Sequence, residues 1–316
     1  MKPCIAFLLF CCLLCANGYS QEIKNPFFTL YNIISGDPTY NTVEKQIKFV
    51  KETGYDGIEI NEPENFEAVK SALDKLNFPG AYFYFMVDID LPTLDDRLKA
   101  YISQLRGTNV ILAPYIKSGS NKSVSPSPET DAKVVKLLRR LSKWAARKHL
   151  QIAVYPHFGF YAARTDRTLE LVKQVNRKNV GMSFNLCHWL ATTKGEERNM
   201  LQPVLKDIMP YLKMVTISGA NDVISKKKFI WDDYIMPLGK GSFDTYKMVD
   251  YIVKDLHYKG PIGVQCYGLK VDKVWLVKYT MESWNNYKVK SKSTITDHSV
   301  AIPAIFTTGA SLKEIK

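Results

Sequence analysis

The chain has 316 residues, 46% hydrophobic and 23% charged, an ordinary globular composition with ample length for a sizeable core. Its formal net charge is +12, with basic residues spread along the chain and one dense cluster at Lys226-Lys227-Lys228. No alternating basic and aromatic stripe accompanies them, so a solvated basic surface is expected and nucleic acid is not an expected partner.

In chain order, Met1-Lys2 gives a positive start and residues 5–16 form a continuous apolar run. Small residues at Gly18 and Ser20 then set up a cut before Gln21, the pattern of a secretory signal peptide. The run is short for a membrane span of ~20 residues, and an uncleaved anchor is the rival reading. The expectation is a mature protein that is secreted or periplasmic, with no stable membrane anchor after signal removal. Four of the six cysteines lie in this segment, leaving Cys187 and Cys266. Two cysteines make no disulfide framework, although one bridge is allowed.

From 25 to 287 short β-rich runs alternate with amphipathic stretches. Strands are predicted at Phe27–Tyr31, Gly57–Ile60, Ala81–Val87, Val110–Tyr115, Gln151–Tyr155, Val180–Phe184, Met214–Ser218 and Ile262–Cys266. They are apolar at nearly every position, as parallel strands buried on both faces are. Each precedes a helical segment; the clearest is Asp131–Lys148, with Leu137, Leu138, Leu141 and Trp144 on one face. The whole pattern predicts a single (β/α)8 barrel, a TIM barrel in the α/β class. An open doubly wound sheet wants a glycine-rich turn after strand one, which residues 30–36 lack. Two loops, 117–129 and 221–241, follow strands four and seven and belong at the functional mouth. Residues 288–316 lose the rhythm and read as a C-terminal tail.

Chemistry in such a barrel sits at the C-terminal strand ends. Those ends carry Glu59, Asn61 and Glu62 (strand two), Asp88 and Asp90 (three), Tyr115 (four), and Tyr155 with His157 (five). Asn185, His188 and Trp189 follow on strand six, Thr216 and Ser218 on seven, Gln265 and Tyr267 on eight. His157 and His188 are the natural acid/base pair, since imidazole titrates near pH ~6.5, with Glu59 as a third catalytic candidate. Tyr155, Asn185, Trp189, Gln265 and Tyr267 offer neutral hydrogen-bonding groups and ring faces for binding a substrate, and Lys240 offers a cation. Asp88 and Asp90 read as turn or cap residues.

At Tyr55-Asp-Gly-Ile-Glu59, Asn185-Leu-Cys-His188, Pro237-Leu-Gly-Lys-Gly241 and Gly260-Pro-Ile-Gly-Val-Gln265 the chain resembles the xylose isomerase-like superfamily, and within it the sugar phosphate isomerase/epimerase group. The resemblance implies a divalent metal held by Glu, Asp, His and Glu at the ends of strands five to eight. Here those positions carry Tyr155, Asn185, Thr216 and Gln265, neutral groups that hold a hard cation weakly. No metal site or cofactor is therefore expected from them; a residual divalent-metal site at Glu59, His157 and His188 is the weaker alternative.

Three functions compete at this level. The leading one is an exported isomerase, epimerase, or keto-sugar lyase or hydratase that abstracts a proton next to a carbonyl of a small carbohydrate. The second is a barrel that binds carbohydrate without catalysis. The third is a zinc endonuclease on abasic DNA, of the kind the same superfamily contains, opposed by the missing ligands.

Overall fold

The computed structural model describes residues 22–120 and 122–293. The predicted signal segment and the chain from 294 onward lie outside the described residues. Eight strands form one closed barrel: β1 Phe27–Thr29, β2 Gly57–Asn61, β3 Gly80–Asp88, β4 Ile111–Lys117, β5 Ile152–Val154, β6 Val180–Asn185, β7 Leu212–Ile217 and β8 Ile262–Val264. Each pairs in parallel with its sequence neighbour, and β8 closes on β1 through Phe27, Phe28 and Thr29. All six positions of β6 are buried, as expected for a strand sandwiched between barrel interior and helix layer.

Four strands, β1, β5, β7 and β8, stop earlier than predicted, and at β5 and β8 the reasons are local. After β5 comes Pro156, which has no N–H for the ladder. After β8 the Gln265 side chain accepts the backbone N–H groups of Cys266 and Tyr267, both at 2.9 Å, and draws them off the sheet.

The helices start and stop where side chains satisfy their free backbone groups. Thr42 accepts the Lys45 N–H at the head of helix Val43–Thr53, and Gly54 ends it at φ 102°. Ser127 accepts the Thr130 N–H and Pro128 opens helix Pro128–Ala146, which begins three residues before the predicted start, inside the Ser/Pro-rich loop. The last helix, Lys273–Ser293, runs past the predicted boundary at 287, so the tail begins later than expected. Its Trp284 is fully buried and stacks on Phe27 with ring centres 4.3 Å apart. Cys187 and Cys266 are both buried free thiols, with no bridge between them. Among the described residues no helix is long and apolar enough to cross a membrane.

Candidate active site

The C-terminal ends of the strands open into a cavity of about 390 Å³, lined from β2 by Glu59, Asn61 and Glu62, and from beyond β5 and β6 by Tyr155, His157 and His188. Gln265 and Tyr267 line it after β8, and Tyr84, Phe160 and Trp231 add aromatic walls. In an eight-strand ring β2 and β6 lie opposite each other. The carboxylates and the histidines therefore come from facing sides of the barrel.

Glu59 is almost fully buried at the end of β2. The Tyr31 N–H donates to its Oε2 at 3.0 Å and the Tyr82 hydroxyl to its Oε1 at 2.7 Å. Burial still dominates and pushes its carboxyl from 4.5 up to about 7. Glu62 begins helix Glu62–Leu76 with φ 59°, a left-handed conformation that costs a non-glycine residue ~1–3 kcal/mol. Its Oε1 accepts the Tyr115 hydroxyl at 2.9 Å, and burial raises this carboxyl to about 7 as well. The strained backbone turns the chain directly from strand to helix and keeps two carboxylates three residues apart on one cavity.

The histidines are neutral, for the same physical reason. Burial lowers His157 to about 4, and the nearby Lys117 ammonium adds to this. Burial also holds His188 well below the usual imidazole range, with His157 beside it adding to this. Their rings lie 4.1 Å apart, His157 stacks on Phe160 at 3.9 Å, and Trp231 meets His188 edge-on at 5.2 Å. Backbone groups select the tautomers. His157 Nδ1 faces the Phe158 carbonyl at 2.9 Å and must donate, which leaves Nε2 as an acceptor. His188 Nδ1 accepts the Phe158 N–H at 3.3 Å, so its proton sits on Nε2, a buried atom with no hydrogen-bond partner.

The four positions where the resemblance places family ligands are bound to each other. Asn185 donates to the Pro156 carbonyl at 2.9 Å and accepts the Thr216 hydroxyl at 2.9 Å. Gln265 Oε1 takes two backbone N–H groups, and the buried Tyr155 phenol, its pKa raised chiefly by burial, hydrogen-bonds to Thr216 and Gln265. Such a donor set is neutral and already occupied, and it does not fit a divalent cation. Among the described residues no three His, Cys, Asp or Glu side chains are grouped to hold a metal ion, and Glu59 faces His157 and His188 from the opposite side of the cavity.

Six of the sequence candidates meet at the cavity: Glu59, Tyr155, His157, His188, Gln265 and Tyr267. Three do not line it. Asn185 lies in the wall behind, its amide consumed as described. Trp189 is buried against Phe184, with ring centres 6.4 Å apart, because the helix Leu186–Thr192 turns it away from the mouth. Lys240 sits 5.6 Å over the Tyr279 ring, outside the cavity. Its turn is built for docking on the end of β7: Gly241 has φ 93°, and a Cβ there would lie 2.0 Å from the Ala220 carbonyl oxygen. Asp88 and Asp90 pin the loop after β4 by accepting from Gly119 and Ser120, in keeping with a turn role. Tyr84, Phe160, Trp231 and Asn32 line the cavity without having been singled out, and Asn61 and Glu62, named at the end of strand two but given no role, line it as well. Glu62 alone had a signal, as a carboxylate one residue past a strand end.

Residues 47–278 match the model of the xylose isomerase-like TIM barrel family, and the chain belongs to that family. No curated protein matches it by sequence. Among solved structures it is similar to D-allulose 3-epimerase from Methylomonas sp. in complex with D-allulose, at 18% identity and TM-score 0.63, covering 84% of this chain and 98% of that one. It is also similar to 3-keto-D-glucoside 4-epimerase from E. coli, at 16% identity and TM-score 0.61, covering 84% and 100%. A third, the IOLI protein with a binding zinc atom, has 15% identity, TM-score 0.63 and coverage of 86% and 99%. At these identities the likeness is one of fold.

Proposed function

We propose that this chain is a sugar isomerase or epimerase that moves a proton at the carbon next to a carbonyl, with Glu59 and Glu62 handling the proton and no divalent metal in the four family positions. The observation that carries this is the pair of hydrogen-bonded carboxylates, Glu59 buried and Glu62 half-buried, on one sugar-sized cavity in a barrel of this family. Abstracting the proton leaves negative charge on the carbonyl oxygen. Without a cation, that charge must be met by a proton donor. Carboxyls poised near 7 supply both roles at neutral pH: the ionised one takes the carbon-bound proton and the protonated one gives its own to oxygen. His188, as an Nε2–H donor, and His157, as an Nε2 acceptor, hold hydroxyls rather than carry charge, which moves the main catalytic role from the histidines to the glutamates. The aromatic walls suit a sugar ring face. The fold likeness to epimerases of free and 3-keto sugars supports the choice of substrate class.

The test is a screen of free and 3-keto sugars with and without Mn²⁺ or Mg²⁺. Turnover is expected to be indifferent to metal and to chelator. Glu59→Gln and Glu62→Gln are each expected to lower kcat by ~10²-fold or more while sugar binding by calorimetry persists. Full activity in both variants removes the assignment. The second reading, a barrel that binds carbohydrate only, is favoured by the closed hydrogen-bond network at the ligand positions; binding with no product after long incubation establishes it. Export remains part of the proposal on the strength of residues 1–20 alone, and a mature N-terminus at Gln21 is its check.

A further inference from the structure

The helix Pro128–Ala146 carries no acidic residue after Asp131. Its outer face and the adjoining turns form a second cleft, of about 560 Å³, on the side of the barrel and separate from the mouth. Six cations line it: Lys136, Arg139, Arg140, Lys143, Arg147 and Arg177. All six are exposed, no carboxylate lines the cleft, and none of the six joins an ion pair among the described residues. Positions 136, 140, 143 and 147 recur at helical spacing, so four charges follow one face over about 16 Å. Arg139 is fixed on the next helix, donating to the carbonyls of Val175 at 3.2 Å and Gln174 at 2.8 Å. Trp144 forms a half-buried wall with the Arg140 guanidinium 5.6 Å over its ring.

Like charges at helical spacing repel, and a folded chain alone gains nothing from leaving them unpaired. We infer that this cleft is a binding site for a linear sulfated polysaccharide, distinct from the cavity at the mouth and independent of the function proposed for it. In the row Lys136, Arg140, Lys143 and Arg147 the two guanidinium groups can pair with sulfates by forked hydrogen bonds and the two ammonium groups as point charges, and a row about 16 Å long spans several sugar rings. Nucleic acid fits less well, because single strands are held by successive stacking aromatics and the one aromatic here is covered by Arg140. A membrane surface fits less well too, since Leu137 is buried and the apolar side chains among the cations are limited to the small Pro92 and Ala132 and the half-buried Trp144.

The experiment measures binding of a fluorescent sulfated hexasaccharide, its desulfated form, a single-stranded oligonucleotide and phosphatidylserine vesicles to the full chain at one ionic strength. The triple variant Arg140→Ser, Lys143→Ser, Arg147→Ser is compared with a charge-matched control, Lys99→Ser, Lys206→Ser, Lys278→Ser, on three other helices. The sulfated probe is expected to bind best, to weaken at least tenfold in the cleft variant and less than twofold in the control, and to lose salt dependence only in the cleft variant. Thermal melts verify that both variants fold, and the single change Arg147→Glu serves if the triple one does not. Equal loss in both variants, or tighter binding of the oligonucleotide or vesicles, overturns the inference.

Discussion

At the scale of single residues, burial sets the chemistry of this site more than any partner does. Glu59 accepts two hydrogen bonds, each of which favours the ionised form, and its carboxyl still rises to about 7. The folded state then holds a proton that the unfolded chain has released above about 4.5. Stability must therefore fall as pH rises through the window from about 4.5 to 7, and level off above it. For Glu59 the loss is on the order of 3 kcal/mol. Urea denaturation at pH 5 and pH 8 checks this: Glu59→Gln, which imitates the protonated form, is expected to lose less stability between the two than the native chain. An equal loss in both contradicts the burial argument. Glu62 adds a term of the same sign, and its strained backbone gives a second prediction. Glu62→Gly is expected to keep its stability or gain up to ~2 kcal/mol while turnover disappears, as measured by melting and by the sugar assay.

At the scale of elements, the joints between strand and helix decide which residues face the mouth. Glu59 and Tyr155 were readable from sequence because a strand end fixes direction by alternation. Trp189 was misplaced because the chain enters the helix Leu186–Thr192 immediately after Asn185, and a helix turns successive side chains by about 100° rather than 180°. His188 reaches the cavity on that same turn while its neighbour goes to the core. The last helix illustrates the other function of elements, which is closure. Trp284→Ala is expected to cost ~3–5 kcal/mol, because it empties the space stacked on Phe27. Trp284→Phe is expected to cost less than ~1.5 kcal/mol, since the indole N–H it removes has no partner. Denaturant titration of the two variants measures both, and equal losses contradict the packing account.

At the scale of the whole molecule, the barrel separates two electrostatic regions. No Lys or Arg lines the cavity at the mouth, whereas the side cleft is lined by six. The formal charge of +12 is the sum over such regions and describes neither of them. In the sequence Lys136, Arg140, Lys143 and Arg147 are spaced three and four apart, so they look diluted; the conspicuous run was Lys226-Lys227-Lys228. Folding reverses that impression, because helical spacing gathers the dilute charges on one face and Arg177 joins them from the turn after the next helix, Thr165–Val175.

By itself the sequence determined the barrel, since eight buried apolar runs alternating with amphipathic stretches admit few closed arrangements; that neutral groups stand at the family's ligand positions is what the resemblance implies. The tertiary structure decided what those groups do instead. It bound Asn185, Thr216, Gln265 and Tyr155 into one network, brought Glu62 beside Glu59, and made the histidines neutral. Each of these outcomes depends on burial and on contacts between residues far apart in the chain, and neither quantity is carried by local pattern.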